Sequence, residues 1–331
     1  MKKILCYKKH ILLALLVACV GYMCACFAAK PNQAPPMQPQ RAVWLVYWDW
    51  EQGLKEAQLD KEQTYIVFAA YFDKKGRLLL PEQFTEESLK NLPQDKLFLS
   101  IVNDWEGKKN QLLPKDTAVL QRKLSNKKRR QQHVQQIIAI CKKNNFAGIE
   151  IDYENIWQNE KLMRDFALFT AELRDKSREA GLELRIVLEP KALTYAELLP
   201  ENVEYVVMFY NLYGLHSGPG PKADEKFILR TLKKMEKLKG KPNVAFANGG
   251  FSWTSGRRAI SVTSQQAVAI AQKHGVVPQR DAQSYALYFS YVEAGKQHTV
   301  WYADEKTLNF WRETAAAYGY KRFSLWRSEG K

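Results

Sequence analysis

The sequence predicts a (β/α)8 barrel, and three observations lead to that fold class. The chain has 331 residues, a length that suits one large core and that single-domain α/β barrels commonly reach. Eight short apolar runs of β type alternate with segments of helical periodicity, as in repeated strand–helix units around a parallel sheet. The fourth run alternates apolar and acidic residues with period two, as a strand with one face toward an interior does.

The first element along the chain is a targeting segment. Lysines at positions 2, 3, 8 and 9 precede the apolar run 11–18. That run is too short to span a bilayer and suits the apolar region of a signal peptide. Leu16-Val17-Ala18-Cys19 resembles a bacterial lipobox, and we expect lipidation of Cys19 because this cysteine ends the apolar run. Cleavage near Ala28 or Ala29, which would release a free secreted protein, is the alternative.

The remaining elements follow in order. Residues 1–29 form the leader, the Pro- and Gln-rich residues 30–41 predict a tether, and the barrel is expected over 42–331. Strands are predicted at 42–48, 65–72, 97–102, 146–152, 184–188, 205–210, 244–247 and 322–326. Helices are predicted at 116–144, 159–180, 224–239, 264–274 and 304–318. The stretch between strands seven and eight is too long for one crossover, and its β-type runs 285–292 and 298–302 predict a small β-rich insertion.

The fourth strand is the most informative element. In Gly148-Ile149-Glu150-Ile151-Asp152-Tyr153-Glu154, carboxylates alternate with apolar side chains, so Glu150, Asp152 and Glu154 share one face. Neighbouring like charges raise each other's pKa and are unfavourable unless function requires them. A solvated edge strand is the alternative, but the preceding Phe146-Ala147-Gly148 and the following Tyr153 indicate a buried strand.

This segment resembles the DxxDxDxE signature of glycoside hydrolase family 18, the chitinase-like enzymes. Ala147 stands in place of the first Asp and Glu150 in place of the second, while Asp152 and Glu154 match the last two acids. The positions nearest the chemistry are therefore intact. The resemblance implies an enzyme in which Glu154 is the catalytic acid.

Other predicted strand ends carry aromatic, acidic and amide side chains. The active site of a (β/α)8 barrel forms at the C-terminal ends of its strands, so we expect these side chains around one cleft. They are Tyr47, Trp48 and Asp49 after strand one, Asn103 and Trp105 after strand three, Met208, Tyr210 and Asn211 at strand six, and Trp326 at strand eight. Aromatic rings at several strand ends suit a sugar, whose apolar ring faces stack on indole and phenol rings. These side chains predict a carbohydrate cleft.

The ends of predicted strands six and eight extend the family resemblance to roughly residues 42–328. Met208-Phe209-Tyr210-Asn211 is similar to the M-x-Y-D motif of the family, with Asn211 in place of Asp. Trp326 stands where the family has a tryptophan under the sugar at the cleavage point. The Gly-rich motif of strand three is absent, since residues 100–103 contain no glycine. The Asp-Tyr-Glu-Asn-Ile ending of strand four is similar to cortex- and wall-associated bacterial members.

The resemblance implies substrate-assisted catalysis, in which the 2-acetamido oxygen of the substrate attacks the anomeric carbon. Glu154 would protonate the leaving oxygen, and Asp152 would bind the acetamido N–H and stabilise the oxazolinium intermediate. Glu150 would hold a proton or share one with Asp152, and Tyr210 would position the acetamido oxygen. Trp326 would form the floor of the subsite that holds the sugar. No step needs a metal or another cofactor, and no His/Cys cluster in the sequence offers a metal site.

The net charge and the cysteine content indicate which surroundings and partners suit the protein. The formal net charge is +15, and without the four leader lysines it is still +11, which suggests anionic surroundings such as cell wall or lipid headgroups. Lys127-Lys128-Arg129-Arg130 is interpreted as a solvated helix face, so we expect no nucleic-acid partner. Of the five cysteines only Cys141 lies outside the leader, which predicts a buried structural thiol and no disulfide framework.

Together these features predict an exported, endo-acting glycoside hydrolase that cleaves a β-linked, N-acetylglucosamine-containing glycan with retention. Peptidoglycan is the favoured substrate, with chitin or N-glycans second. We expect a monomer in the bacterial cell envelope, anchored to the membrane by lipid. A non-catalytic carbohydrate-binding envelope lipoprotein is the alternative, because two acids of the signature are changed, and a structural envelope protein is a third hypothesis. Retention of Asp152 and Glu154 argues against the binding protein, and the aromatic strand ends argue against the structural one.

Overall fold

A computed structural model describes residues 40–81, 84, 86–107 and 111–328. The leader with Cys19, and the tether up to residue 39, lie outside the described residues. None of the helices in the described part is long and apolar enough to cross a lipid bilayer.

Eight parallel strands close into a barrel, which confirms the predicted TIM-barrel fold class. The first seven are β1 (Gln40–Val46), β2 (Thr64–Phe72), β3 (Leu97–Glu106), β4 (Gly148–Asp152), β5 (Glu183–Leu188), β6 (Glu204–Met208) and β7 (Lys241–Ala247). The insertion strands β8 (Gly249–Thr254), β9 (Ile260–Val262), β10 (Leu287–Glu293) and β11 (Lys296–Ala303) follow, and β12 (Arg322–Trp326) is the eighth barrel strand. Each barrel strand pairs with the next along the chain, and β12 pairs with both β7 and β1, so the ring closes.

Helices surround the barrel. They are α1 (Trp50–Leu59), α2 (Glu86–Leu89), α3 (Thr117–Leu124), α4 (Lys127–Lys143), α5 (Glu160–Glu179), α6 (Glu225–Met235), α7 (Ser264–Lys273) and α8 (Glu305–Ala317). Short 3-10 helices cover Tyr47–Asp49, Gln94–Lys96, Ile156–Gln158 and Pro190–Leu198, and two-residue strands cover Leu78–Leu79, Leu112–Leu113 and Gln279–Arg280.

The two faces of β4 point as the sequence pattern predicts. Ile149 and Ile151 are fully buried in the core between the barrel and its helices. Tyr153 follows them outward, and its hydroxyl lies 2.7 Å from Nε2 of His133 on α4. The barrel interior holds a separate apolar cluster of Ala42, Trp44, Ile66, Phe98, Val187, Val206, Met208 and Ala245. The alternating acids of β4 therefore face this interior.

Several predicted boundaries differ from the structure. The predicted helix 116–144 is two helices, α3 and α4, because the chain leaves helical geometry at Asn126, whose side chain caps α4 by accepting from the Arg129 N–H at 3.1 Å. Barrel strands one and six end at Val46 and Met208, two residues before the predicted ends. Helix α1 and the 3-10 helix Pro190–Leu198 were not predicted.

The insertion between β7 and β12 is larger than the predicted wall. It contains a five-stranded antiparallel sheet in the order β9-β8-β11-β10, with Gln279–Arg280 at the far edge. Helix α7 packs on this sheet, and together they bury a small apolar cluster of Val262, Ala267, Ala271, Phe289, Val300 and Tyr302. The β-rich character was predicted correctly, but β8 and β9 were missed.

The basic run and the lone cysteine also have clear positions. Lys127, Lys128 and Arg129 are exposed in the first turn of α4, as a solvated helix face requires. Arg130 differs, since it is buried and its Nε donates to Glu172 at 3.0 Å. Cys141 is fully buried, and burial raises the pKa of its thiol to about 12, so it is an unreactive structural residue.

Candidate active site

Strand β4 carries the acidic segment to the C-terminal end of the barrel. Its register sets Glu150 opposite Arg185 on β5 and Asp152 opposite Val102 on β3. Gly148 permits the close contact with β3, because a Cβ built there would lie 2.2 Å from the ring of Phe98. A larger residue at this position would displace β4 and with it the carboxylates.

Glu150 lies on the barrel floor and is completely buried. Trp44 donates its indole N–H to Oε1 at 2.6 Å, and Arg185 donates from Nε to Oε2 at 3.0 Å. Burial raises the pKa of Glu150, while the Arg185 guanidinium and the Trp44 hydrogen bond oppose that rise. Both carboxylate oxygens thus have donors, and the proton sharing with Asp152 that the resemblance implies stays a prediction.

The same guanidinium extends the pairing across the floor. Arg185 also donates to Glu204 Oε1 at 2.8 Å and to Ser324 Oγ at 3.0 Å. Glu204 accepts in turn from Arg322 at 2.6 Å. The carboxylates of Glu150 and Glu204 and the guanidinium groups of Arg185 and Arg322 therefore form a charge-balanced network beneath the site.

Asp152 is the next acid on the same face and lies above this network, 6% exposed. Its Oδ1 is buried and contacts no donor within the described part of the chain. Burial raises the pKa of Asp152 well above its ordinary value, and the charges of Glu154 and Glu150 raise it further. Asp152 therefore keeps its proton to a higher pH than a solvent-exposed aspartate does.

Glu154 follows the end of β4, and a buried amide fixes its backbone. Asn103 on β3 accepts from the Glu154 N–H at 2.9 Å and donates to the Glu154 carbonyl oxygen at 3.1 Å. The side chain of Glu154 is 14% exposed. Burial raises the pKa of this carboxyl, and the nearby charges of Glu189 and Asp104 act in the same direction. The clamp by Asn103 determines where the Glu154 carboxyl leaves the strand.

Lys115 forms an ion pair with Glu154 Oε2, and no pattern in the sequence predicted a role for this lysine. It lies in the loop between β3 and α3 with a left-handed φ of 56°, and its backbone N–H donates to Asp104 Oδ1 at 2.8 Å. Its ammonium opposes the rise in the pKa of Glu154 that burial causes. In this structure Lys115 thus stabilises the ionised form of Glu154.

Glu189 is a second acid near Glu154, and it was not among the predicted site residues. It follows β5 directly, and its Oε2 accepts from the backbone N–H of Asn155 at 2.6 Å. Asn155 has a left-handed φ of 62°, so Glu189 stabilises the turn that immediately follows Glu154. A signal for Glu189 was present, because it is an acid at the C-terminal end of a predicted barrel strand.

Tyr210 and Asn211 lie just beyond the end of β6. Burial raises the pKa of Tyr210 well above its ordinary value, and the charges of Asp152 and Glu154 add to the rise. Its hydroxyl therefore stays protonated and can act as a donor. Asn211 is exposed, and its amide donates to Met208 Sδ at 3.3 Å.

Trp326 ends β12 and packs among three aromatic rings. Its ring centroid lies 4.9 Å from that of Phe68, 5.8 Å from that of Trp44 and 6.5 Å from that of Trp48. Trp48 itself is 52% exposed. Trp326 thus packs against neighbouring rings, and Trp48 keeps half of its surface available to a ligand.

A cleft of about 630 Å³ lies beside these groups. Of the predicted site residues, it is lined by Trp48, Asp49, Tyr210, Asn211 and Trp326. Lys115 also lines the cleft and connects it to Glu154. Residues that were not predicted come from the loop after β6 and from the insertion, among them Tyr213, His216, Lys222, Phe251 and Gln266. The insertion sheet therefore forms one wall of the cleft.

Four predicted ligand-binding residues lie outside this cleft. Asn103 and Met208 are buried, the first as the clamp on Glu154 and the second in the barrel interior. Tyr47 lines a shallow surface pocket with Trp50. Trp105 lines a groove next to α3 and α4. Each of the four is near a strand end as predicted, but neighbouring residues at a strand end point in different directions.

The family of the chain follows from its match to a known family model. The Glycosyl hydrolases family 18 model matches residues 43–329. The chain belongs to this family. The match includes all of the barrel strands except the first residues of β1, and it includes the insertion.

Members of family 18 with similar sequences or folds include bacterial lytic enzymes and chitinases. The cortical fragment-lytic enzyme of Bacillus subtilis (strain 168) is 23% identical over 273 residues, which are 74% of this chain and 60% of the relative. The chain therefore spans about 60% of the length of that relative.

Two solved structures share the fold. The chitinase from Chromobacterium violaceum ATCC 12472 has a TM-score of 0.73 at 16% identity, over 88% of this chain and 94% of that chain. The spore cortex-lytic enzyme SleL of Bacillus megaterium QM B1551 has a TM-score of 0.72 at 16% identity, over 90% and 72% respectively.

Proposed function

We propose that this protein is an endo-acting glycoside hydrolase that cleaves a β-linked, N-acetylglucosamine-containing glycan by substrate-assisted, retaining catalysis. The observation that carries the proposal is the pair Asp152 and Glu154 at the C-terminal end of β4, buried among acids beside an aromatic-lined cleft. A carboxyl that donates a proton near neutral pH needs such surroundings, because they raise its pKa. Membership of family 18 supports the same chemistry.

In the proposed reaction Glu154 gives its proton to the leaving glycosidic oxygen. The acetamido carbonyl oxygen of the substrate attacks the anomeric carbon, the bond to the leaving oxygen breaks, and an oxazolinium forms. Asp152 accepts a hydrogen bond from the acetamido N–H and so stabilises the positive charge of the oxazolinium. The Tyr210 hydroxyl donates a hydrogen bond to the acetamido oxygen. Water then attacks the anomeric carbon, the bond from that carbon to the acetamido oxygen breaks, and the water gives a proton to Glu154. The acid, the acetamido group and the original anomeric configuration are thereby restored. Family 18 differs in this way from glycosidases that use two carboxylates.

Lys115 adds a condition to this reaction. Its ion pair favours the ionised form of Glu154, and an ionised carboxylate cannot protonate the leaving oxygen. Lys115 also lines the cleft, so a sugar that enters the cleft competes with Glu154 for the ammonium. The acid step therefore requires that Glu154 exchange its contact with Lys115 for a proton.

Peptidoglycan is the favoured substrate, with chitin or N-glycans second. Two proteins similar to this chain are described as a cortical fragment-lytic enzyme and a spore cortex-lytic enzyme. The formal net charge of +15 supports an anionic polymer over a neutral one. Trp48 and Trp326 offer aromatic faces to the sugar rings of any of these glycans.

The proposal includes export to the cell envelope with a lipid on Cys19. It rests on the run Leu16-Val17-Ala18 before this cysteine, and on the Pro- and Gln-rich residues that would separate an anchor from the barrel. The tether was predicted to end at residue 41, but β1 already begins at Gln40. Mass analysis of the mature N-terminus tests it. An unlipidated chain beginning near Lys30 would instead support a free secreted protein.

A non-catalytic carbohydrate-binding protein is the second candidate. The observation that favours it is the ion pair between Lys115 and Glu154, since a permanently ionised Glu154 has no use as an acid. A binding protein would retain the aromatic cleft and lose nothing when Glu154 becomes an amide.

The deciding experiment compares the parent with Glu154→Gln on purified peptidoglycan strands, chitin oligomers and an aryl glycoside of N-acetylglucosamine. General-acid help is worth about 10²–10⁴-fold, so Glu154→Gln should lose at least that on the two unactivated glycans. The loss on the aryl glycoside should be clearly smaller, because its leaving group needs less protonation.

A matched control is Glu160→Gln, which makes the same change at an exposed residue of α5 and should leave turnover unchanged. If Glu154→Gln cleaves the unactivated glycans as fast as the parent, Glu154 is not the acid. If the parent binds these glycans and cleaves none of them, the binding protein is the correct function.

A further inference from the structure

A second concave site lies outside the cleft, and the proposed reaction makes no use of it. This basic groove has a volume of about 940 Å³, and its lining includes Lys75, Trp105, Arg122, Lys123, Arg129 and Gln132. These residues come from the turn after β2, from the end of β3 and from helices α3 and α4. The basic groove therefore lies at the C-terminal end of β2 and β3, the same end of the barrel that holds Glu154.

Arg122, Lys123 and Arg129 place three positive charges along the basic groove. Arg122, Lys123 and Arg129 form no ion pair with any carboxylate whose side chain the structure describes. The carboxylate of Asp73 acts on Lys123 through space, but its oxygens accept from Arg77 at 2.7 Å. Like charges held close together without counterions repel one another, so a bound anion would stabilise this surface.

Trp105 contributes an aromatic ring to the lining of the basic groove. Its indole N–H is buried and finds no acceptor within the described part of the chain. The guanidinium carbon of Arg122 lies 5.9 Å from the centre of the Trp105 ring. An aromatic ring and several cations together suit a ligand that has both apolar ring faces and carboxylates, as an acidic sugar does.

The basic groove is also close to the catalytic strand end. Trp105 lies two residues beyond Asn103, about 7 Å along a strand, and Asn103 holds the backbone of Glu154. We infer that the basic groove binds a carboxylate-bearing stretch of the same glycan strand that the cleft cuts, away from the cleavage point. This inference rests on the proposed function, and it names the substrate class more closely: an anionic glycan polymer rather than a neutral one.

The test measures binding in the Glu154→Gln background, so that the ligand is not consumed. The probes are peptidoglycan strands freed of their peptides, which keep the lactyl carboxylate of muramic acid, and chitin oligomers of matched length, which carry no carboxylate. Arg122→Gln combined with Arg129→Gln removes two exposed charges of the basic groove. We expect this variant to bind the acidic strands about five- to tenfold more weakly and to bind chitin oligomers unchanged.

The matched control is Lys127→Gln combined with Lys128→Gln. It removes two exposed charges from the same helical region without touching the groove lining, and it should bind both probes like its parent. Equal weakening by both double variants would overturn the inference, because total charge would then explain the effect. Equal weakening on acidic strands and chitin would overturn it too.

Two further arms exclude other polyanions. Vesicles containing phosphatidylglycerol and a short DNA duplex should bind more weakly than the acidic strands at equal ionic strength. Tighter binding of either one through Arg122 and Arg129 would assign the basic groove to a membrane or to nucleic acid instead. These arms read binding directly, so they stay informative even if the parent hydrolyses no glycan and the proposed reaction fails.

Discussion

One strand carries the same type of side chain into two opposite electrostatic surroundings. On the barrel floor, Glu150 has a donor on each oxygen and belongs to a network in which two guanidinium groups balance two carboxylates. Asp152, two residues further along β4, lies near Asp104, and Glu154, just beyond the end of the strand, lies near Asp104 and Glu189. Lys115 supplies positive charge to Glu154.

Burial raises the pKa of Glu150, Asp152 and Glu154 alike, so the floor and the catalytic end differ in charge balance rather than in burial. Arg185 opposes that rise at Glu150, whereas the neighbouring acids add to it at Asp152. A balanced buried network supports the fold only while every partner is present. An unbalanced group of acids holds its protons to a higher pH than exposed acids do, which favours proton transfer from them.

The largest expected effect comes from removing the cation of the floor. Arg185→Met leaves Glu150 and Glu204 buried without their shared guanidinium. Breaking one partner out of a buried ion network lowers the free energy of unfolding by about 3–5 kcal/mol. Urea unfolding followed by circular dichroism measures the loss.

Arg130→Met is the matched comparison for that measurement. Arg130 is also buried, but it pairs with Glu172, whose side chain is 25% exposed and can be hydrated when the pair is lost. Its loss should be roughly 1–2 kcal/mol. If Arg185→Met is no more destabilising than Arg130→Met, the floor network does not depend on charge balance.

Asp152→Asn should act in opposite directions on rate and on stability. The amide cannot stabilise the positive oxazolinium, so turnover of unactivated glycan should fall about 10²–10³-fold while binding is mostly kept. The folded protein raises the pKa of Asp152 above its ordinary 3.8, so the parent loses stability as pH rises from that value through the raised pKa. The variant avoids this loss and should have a higher free energy of unfolding at neutral pH, with no gain well below pH 3.8.

Asp175→Asn gives a control of opposite sign. Arg174 lowers the pKa of Asp175, so this exposed acid contributes stability above its ordinary pKa, and its amide should be slightly less stable at neutral pH. Chemical unfolding at several pH values measures both variants. A loss of stability in Asp152→Asn at neutral pH would mean that the unbalanced acids stabilise the fold.

The barrel was predictable because strand periodicity and strand spacing are local properties of the sequence. All eight barrel strands were found, and the orientation of β4 followed from its alternating pattern. Strands β8 and β9 were missed, since Gly249 and Gly250 look like a turn, and since β8 pairs with β11 far along the chain. A Cβ on Gly250 would lie 1.7 Å from the Trp301 carbonyl oxygen, so tertiary packing rather than propensity requires glycine there.

The site was predictable where chemistry follows a strand and unpredictable where it comes from a loop. Asp152 and Tyr210 end predicted strands, and Glu154 was named because it continues the alternation of strand four and matches the last acid of the family signature. Trp48 and Trp326, which also lie at predicted strand ends, line the cleft. Lys115 lies in a loop whose path depends on the backbone contact with Asp104, and no periodicity records such a contact. Trp105 shows the limit at strand ends, since its position could be predicted but not its direction.

The smallest expected effect is a displaced pH profile in Lys115→Met. The Lys115 ammonium holds the pKa of Glu154 down against burial and against Glu189 and Asp104, while Asp152 and Tyr210 also face the site. Without the ammonium the pKa of Glu154 rises, so the acid stays protonated to higher pH. The alkaline limb of kcat/KM should therefore move to higher pH, with a change of only a few-fold at the optimum.

Two variants test whether the shift of the pH profile depends on the ion pair between Lys115 and Glu154. Lys115→Arg keeps the charge and the same left-handed backbone position, so its alkaline limb should stay close to that of the parent. Lys237→Met breaks an exposed ion pair with Glu197 far from the cleft lining and should leave the profile unchanged. An alkaline limb that moves to lower pH in Lys115→Met would mean that Lys115 itself delivers the proton. If the alkaline limb does not move, the ion pair between Lys115 and Glu154 is broken before Glu154 acts as the acid. The floor and the catalytic end would then differ in charge balance only at Asp152.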